Sequence, residues 1–131
     1  MKNLDIQINQ ARLRTTFQRR ALLSYVNSQN RPISAEQIIK RLGAINPVTI
    51  YRILDQFEKV GLLTRVMFDD GIRRYESAGR HHHHLVCDNC GQVHKVEIPN
   101  EKQIISRMTA QHHFNIKRHT FEFFGLCQKC H

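Results

Sequence analysis

PVTIYRILDQFEKV, residues 47–60, is the stretch on which the fold turns. Ile50, Ile53, Leu54 and Phe57 recur at i, i+3, i+4 and i+7, which gathers them on one face of a helix and predicts that this face is buried. Val48, Arg52, Asp55 and Lys59 fall on the opposite side, with Thr49, Tyr51 and Gln56 on the flanks. Asn46 can cap the helix, Pro47 suits its first turn because its missing N–H needs no partner there, and Gly61 is placed to end it. A charged outer face is most often simply solvated. Thr49, Tyr51 and Arg52, however, crowd the N-terminal end, and such side chains reach phosphates and base edges when a helix enters a major groove.

What surrounds this helix decides between the two readings. Downstream, Leu62–Phe68, the turn Asp69-Asp70-Gly71 and Ile72–Ser77 read as a β-hairpin. Upstream, Ser34 followed three residues later by Gln37 is a capping-box pattern that leads into Ile38, Ile39 and Leu42. Residues 18–29 place Ala21, Leu22, Tyr25 and Val26 on one stripe, and Leu4, Ile6, Ile8, Ala11 and Leu13 suggest a weaker N-terminal helix. Helices followed by a two-stranded hairpin are the order of a winged helix-turn-helix domain, with residues 47–60 as its recognition helix and Arg73 and Arg74 on the wing. A helical domain with an incidental hairpin is the plainer alternative. Charge favours the first: of the formal net +9, residues 1–78 hold +6, so the basic excess points to a polyanionic partner for this half.

The remaining residues carry different chemistry. Cys87 and Cys90, then Cys127 and Cys130, form two Cys-x-x-Cys pairs and are all the cysteines of the chain. Each turn can offer two thiolates, so the two together fill the four corners of a structural zinc site. A redox pair, two disulfides or four core thiols are the alternatives, and a redox motif normally occurs once. Four consecutive histidines, His81–His84, run into Cys87. On an extended strand His82 and His84 face one way and His81 and His83 the other, so each pair can give two imidazoles to a metal on its own side. Ser77–Arg80 reads as a hinge. Leu85–Ile98 and residues 115–126 read as extended, with Phe121 and Phe123 on one face. Between them lies a helix opened by an Asn100/Gln103 capping box, with Ile104, Ile105 and Met108 inward. The expected layout is an α/β (α+β) chain, residues 1–78 winged helix and 79–131 a small zinc-containing α/β domain. The latter is too small to bury much alone, so a homodimer through its sheet is expected.

The 131 residues show no apolar run long enough for a membrane span, and residues 1–14 lack the apolar stretch of a signal peptide. Thiols of this kind without an export signal suggest the cytoplasm. No nucleophile or general base accompanies the histidines, so a His/Glu zinc metalloenzyme is a minor alternative and no enzymatic activity is expected.

In order along the chain, Arg14-Thr15-Thr16-Phe17-Gln18-Arg19, Ser34-Ala35-Glu36, residues 48–54, Gly61-Leu62-Leu63, Arg74-Tyr75-Glu76, residues 82–87, Cys90-Gly91 and Gly125-Leu126-Cys127 resemble the ferric uptake regulator family of metal-sensing bacterial repressors. The resemblance implies a winged-helix DNA-binding domain, a dimerisation domain, a four-cysteine structural Zn2+ and a regulatory divalent metal. It assigns Glu76, His82 and His84 to the hinge metal site, and His81, His83 and His119, with an acid near Glu101, to a second one. It gives Arg14 a minor-groove role and brings Tyr51 and Arg52 to bases and phosphates; Arg19, Thr49 and Arg73 complete the expected contacts with a palindromic duplex operator. The chain departs from the family pattern at Pro32, where a histidine is usual, and at Lys95, where a carboxylate is usual. At the second site Lys102 takes the place of the usual acid, with Glu101 adjacent. Three ligands and a water, or substitution by Glu97 or Glu101, are the remaining ways to complete the sites. The His-rich set favours Zn2+ over Fe2+ or Mn2+ as regulatory metal, and a peroxide sensor of the same family is the alternative function.

Overall fold

The computed structural model describes residues 3–79 and 81–131. The expected hinge at residues 77–80 includes Arg80, which lies outside the described residues. The chain divides into two compact units, Met1–Gly79 and Arg80–His131.

The first unit runs α1 (Leu4–Gln10), α2 (Phe17–Asn27), β1 (Ile33–Ser34), α3 (Ala35–Arg41), α4 (Pro47–Lys59), β2 (Leu63–Met67) and β3 (Arg73–Ser77). Its helix ends follow the capping chemistry. Thr16 caps α2 by accepting from the Arg19 N–H at 3.2 Å. At α3 the box closes in both directions, Gln37 N–H to Ser34 Oγ at 3.1 Å and Ser34 N–H to Gln37 Oε1 at 2.9 Å. Asn46 Oδ1 accepts from the Val48 N–H at 2.9 Å, one residue after which α4 is under way. Gly61, at φ 79°, reverses the chain after α4, and the Leu62 and Gly61 N–H groups return to the Phe57 and Glu58 carbonyls. A side chain at Gly61 would meet the strain of that left-handed backbone.

The buried face of α4 is Ile50, Ile53, Leu54 and Phe57, as its periodicity dictates. With Ile8, Leu22 and Val26 it forms the core of this unit, each such side chain stabilising the fold by about 1.5–3 kcal/mol through its burial. In the wing, β2 and β3 pair antiparallel from Leu63↔Ser77 to Met67↔Arg73. A two-residue strand, β1, adds to the outer edge of β3 through Ile33↔Tyr75 and makes the sheet β1-β3-β2.

The second unit contains β4 (His83–Cys87), β5 (Val93–Val96), α5 (Glu101–His112) and β6 (Glu122–Gly125), in a sheet of order β5-β4-β6. β4 pairs antiparallel with β5 and parallel with β6. Three expectations fail here. Asn100 makes no side-chain cap. It adopts the left-handed conformation (φ 60°), and its carbonyl, not its carboxamide, accepts from Gln103 N–H and Ile104 N–H. Nor is any residue of α5 buried: Ile104 and Met108, expected inward, are 38% and 45% exposed. Of the expected extended stretch 115–126 only β6 is strand, and Phe123 faces solvent. Cys87 is the sole buried apolar side chain of this unit among the described residues, alongside the polar His83 and His84. The buried side chains of the second unit are thus cysteine and histidine rather than aliphatic.

Candidate metal centres and nucleic-acid interface

The four cysteines converge. Gly91, at φ 75°, lets the chain turn back after Cys90, and its N–H meets the Cys87 carbonyl at 2.9 Å. The second turn repeats this with His131 N–H on the Cys127 carbonyl at 3.1 Å, which also accepts from Cys130 N–H at 2.9 Å. Asp88 N–H to the Gly125 carbonyl (2.7 Å) and Cys127 N–H to Cys87 Sγ (3.3 Å) tie one turn to the other. All four thiols are free, and Cys90 Sγ and Cys127 Sγ lie 3.7 Å apart. That is far beyond a disulfide bond of about 2.05 Å. It matches the edge of a tetrahedron of zinc–thiolate bonds about 2.3 Å long, about 3.8 Å. The electrostatics agree. Backbone N–H groups of Cys90 and Cys127 hold the Cys87 thiol down to about 6. At Cys130 the Asn89 amide favours the thiolate, but Cys127, burial and the other sulfurs together push it up to about 11. Four thiolates cannot ionise in contact unless a cation neutralises them, so the donor set fits a resident zinc.

A second convergence joins His81, His83, Glu101 and His119. Their Nε2 atoms stand 3.1 Å (His81–His83) and 3.2 Å (His81–His119) apart, with His81 Nε2 3.0 Å from Glu101 Oε1, which His83 and His119 also contact. One carboxylate can accept from three rings, but hydrogen bonding does not explain three ring nitrogens packed against each other. Metal–nitrogen bonds of about 2.0–2.1 Å in a tetrahedron would place such atoms about 3.3–3.4 Å apart. Burial works to raise the Glu101 carboxyl, yet the His119, His83 and His81 nitrogens outweigh it and hold the group down to about 2. Phe121 N–H donates to His83 Nδ1 at 3.0 Å, so the neutral His83 ring carries its proton on Nε2, and a metal at that atom would require the proton to move to Nδ1 and the Phe121 contact to be given up. The acid of this set is Glu101, not Lys102, which is exposed. The donor set is therefore four-membered where the sequence pattern alone suggested a gap.

His82 and His84 pair on the other face of the strand, ring centroids 4.9 Å apart, as His81 and His83 do on theirs at 4.6 Å. Glu76 belongs to β3 of the first unit, opposite Thr64, and is buried. His84 Nδ1 lies 3.0 Å from Glu122 Oε2, a residue absent from the expected ligands; only the β4·β6 register, His84↔Glu122, reveals it.

In the first unit, Tyr51 (45% exposed) and Arg52 stand on the outer face of α4, and Thr49 is half-buried. Arg14 is exposed, while Arg19 is committed within the unit: its guanidinium donates to the Arg14 carbonyl (2.8 Å) and to Gln56 Oε1 (3.0 Å). Arg19 thereby fastens the segment bearing Arg14 to α4. On the wing, Arg73 is exposed; Arg74 donates to both Asp70 oxygens (3.0 and 2.7 Å) and stacks over Phe68 at 4.9 Å. That guanidinium, together with the Ile72 N–H, holds the Asp70 carboxyl down to about 2. Among the described residues no helix is long and apolar enough to cross a membrane.

A winged helix-turn-helix followed by an α/β unit lined with cysteine and histidine donors defines a metal-binding transcriptional regulator. The sequence model of the ferric uptake regulator family matches residues 10–124. The chain is 36% identical over 124 residues to the ferric uptake regulation protein of Bordetella parapertussis, covering 90% of this chain and 89% of that one. It is 30% identical over 129 residues to the peroxide-responsive repressor PerR of Staphylococcus aureus, covering 94% and 86%. Among solved structures it is similar to the Vibrio cholerae ferric uptake regulator (TM-score 0.78, 30% identity, 95% of this chain and 100% of that one) and to a zinc-bound manganese uptake regulator (TM-score 0.74, 27%, 96% and 98%). The chain belongs to the ferric uptake regulator family.

Proposed function

We propose that this protein is a homodimeric repressor of metal uptake or homeostasis genes. It binds a palindromic duplex operator through α4 and the wing, and occupation of a regulatory metal site controls its affinity. The observation that carries the reading is the union, in one chain, of an exposed Tyr51/Arg52 end on a capped recognition helix with a second unit whose interior is metal donors. Zn2+ is assigned to Cys87, Cys90, Cys127 and Cys130 as a structural ion. Glu76, His82 and His84 are assigned to a regulatory divalent metal, Zn2+ before Fe2+ or Mn2+, because imidazole outnumbers carboxylate and Lys95 adds none. A similar solved structure, 27% identical, is a manganese uptake regulator in zinc-bound form, which supports zinc as a metal that such a fold can hold. His81, His83, Glu101 and His119 are assigned to a further metal. A twofold dimer matches a two-half-site operator, and the cytoplasm supplies both the DNA and the reducing conditions that four thiolates require.

The test is DNA binding to the protein's own promoter region after the metals have been stripped down to one zinc per chain and then restored singly. Zn2+ should raise affinity most, and equal affinity with and without any added metal rejects metal control. The similarity to a peroxide-responsive repressor supports one second reading: if Fe2+-loaded protein loses DNA binding on exposure to peroxide, with oxygen incorporated into a histidine, the protein is a peroxide sensor.

A further inference from the structure

β6 and Phe121, the residue before it, meet two adjacent histidines of β4 with opposite chemistry. On one face Phe121 N–H donates to His83 Nδ1 at 3.0 Å. On the other, Glu122 Oε2 stands 3.0 Å from His84 Nδ1. A carboxylate oxygen can only accept, so here the ring must donate: the His84 proton is on Nδ1 and the lone pair on Nε2. This is no loose surface contact, since the His84 and Glu122 side chains are 3% and 14% exposed. Nor is it accidental to the sheet, because the parallel pairing sets His84 directly beside Glu122, while the antiparallel pairing sets Lys95 on its other flank. Both neighbours share the His84 face, since directly paired residues point the same way from a sheet. A carboxylate fixed to the non-ligating nitrogen of an imidazole orients the ring, selects its tautomer and makes it a stronger donor.

We propose that Glu122 is the positioning residue of His84, holding its proton on Nδ1 so that Nε2 is presented to the regulatory metal together with His82. This deepens the regulatory-site assignment above and rests on it. Glu122 acts through the imidazole and need not touch the ion. The contrast with His83 is internal to the strand: the same edge fixes one histidine with Nε2 bare of a proton and its neighbour with Nε2 protonated.

Long-range proton–nitrogen NMR of 15N-histidine-labelled full-length protein, holding its four-cysteine zinc and no other metal, reads both tautomers directly. His84 should be protonated at Nδ1 and His83 at Nε2. In Glu122→Ala the His84 signal should shift towards the Nε2–H form, while His83 and the thermal melt stay as in the wild type. Titration with Zn2+ against a chromophoric chelator, in a His119→Ala background that disables the His81, His83, Glu101 and His119 site, should show the second zinc bound about 10- to 100-fold more weakly in Glu122→Ala, with Glu122→Gln, which keeps an acceptor, recovering part of the loss. A wild-type His84 protonated at Nε2 overturns the proposal even if the variant fails to fold. Loss of the second zinc in His84→Ala with unchanged affinity in Glu122→Ala overturns it alone. Retention of that zinc in His84→Ala overturns the regulatory-site assignment and this proposal with it.

Discussion

Single donor atoms decide what the second unit can hold. Since Cys87 is held down to about 6 and Cys130 is pushed up to about 11, neutral solution ionises the metal-free cluster only in part, and zinc must drive off the remaining protons. Cys87→Ser or Cys130→Ser should therefore remove one zinc per chain by elemental analysis and loosen the unit, seen as faster amide exchange in β4 and β6. In the wild type, zinc should be retained at neutral pH and released as acidification lets protons compete for the thiolates, which chelator-detected release against pH measures. Glu101 has the opposite direction of shift to Cys130. Its folded pKa is below the ordinary 4.5, so the stabilisation it gives is present above that value and is lost as pH falls towards about 2. Sequence reading found the thiolates completely, since Cys-x-x-Cys spacing is local. It offered Glu101 only as a substitute beside Lys102, which stands where the family's acid is usual, because adjacent helical residues point about 100° apart and only the start of α5 fixes which one faces the histidines. Glu122 left no local signal at all: its partner is 38 residues away and the pairing is a matter of strand register.

At the scale of elements, α4 was legible almost in full because three independent signals coincide on it. Its 3.6-residue stripe gave Ile50, Ile53, Leu54 and Phe57; Asn46 and Pro47 marked its start and Gly61 its end. Phe57 is fully buried at the centre of the core, so Phe57→Ala should destabilise the first unit by about 3–5 kcal/mol in denaturant unfolding. Arg52, exposed on the same helix, should behave in the reverse manner. Arg52→Ala should leave the unfolding curve unchanged but weaken specific operator binding by about 1–3 kcal/mol in a titration at fixed salt, as expected where a guanidinium reads a base edge. β1 escaped notice because two residues, Ile33 and Ser34, carry no periodicity; what makes them a strand is the edge of β3. Ser34 and Asn100 show the limit of capping patterns. Both precede a Gln by three residues, yet Ser34 takes the extended conformation that aims its hydroxyl at Gln37 N–H, whereas Asn100 is left-handed and its side chain points elsewhere.

For the molecule as a whole, the two units differ in what lies in their interiors. The first closes over its own aliphatic core, while the second leaves Leu85, Ile104, Met108, Phe123, Phe124 and Leu126 exposed and buries histidine and cysteine. A face of that kind on so small a unit gains most from a second copy, as zinc does from the four thiolates. In the proposed homodimer, metal and a second copy would together complete this unit, and a twofold dimer matches two half-sites. A regulatory metal at His82 and His84, as proposed above, would change DNA affinity only by binding one conformation of the protein more tightly than another. By linkage, operator DNA must then raise the affinity for that metal by the same factor that the metal raises affinity for DNA. His82→Ala and His84→Ala should each abolish the metal-dependent part of operator binding, read as the ratio of dissociation constants with and without added Zn2+, while elemental analysis still finds the four-cysteine zinc. His81→Ala, on the opposite face of the strand, should reduce that ratio less. If all three variants keep the wild-type ratio, metal control does not run through these histidines.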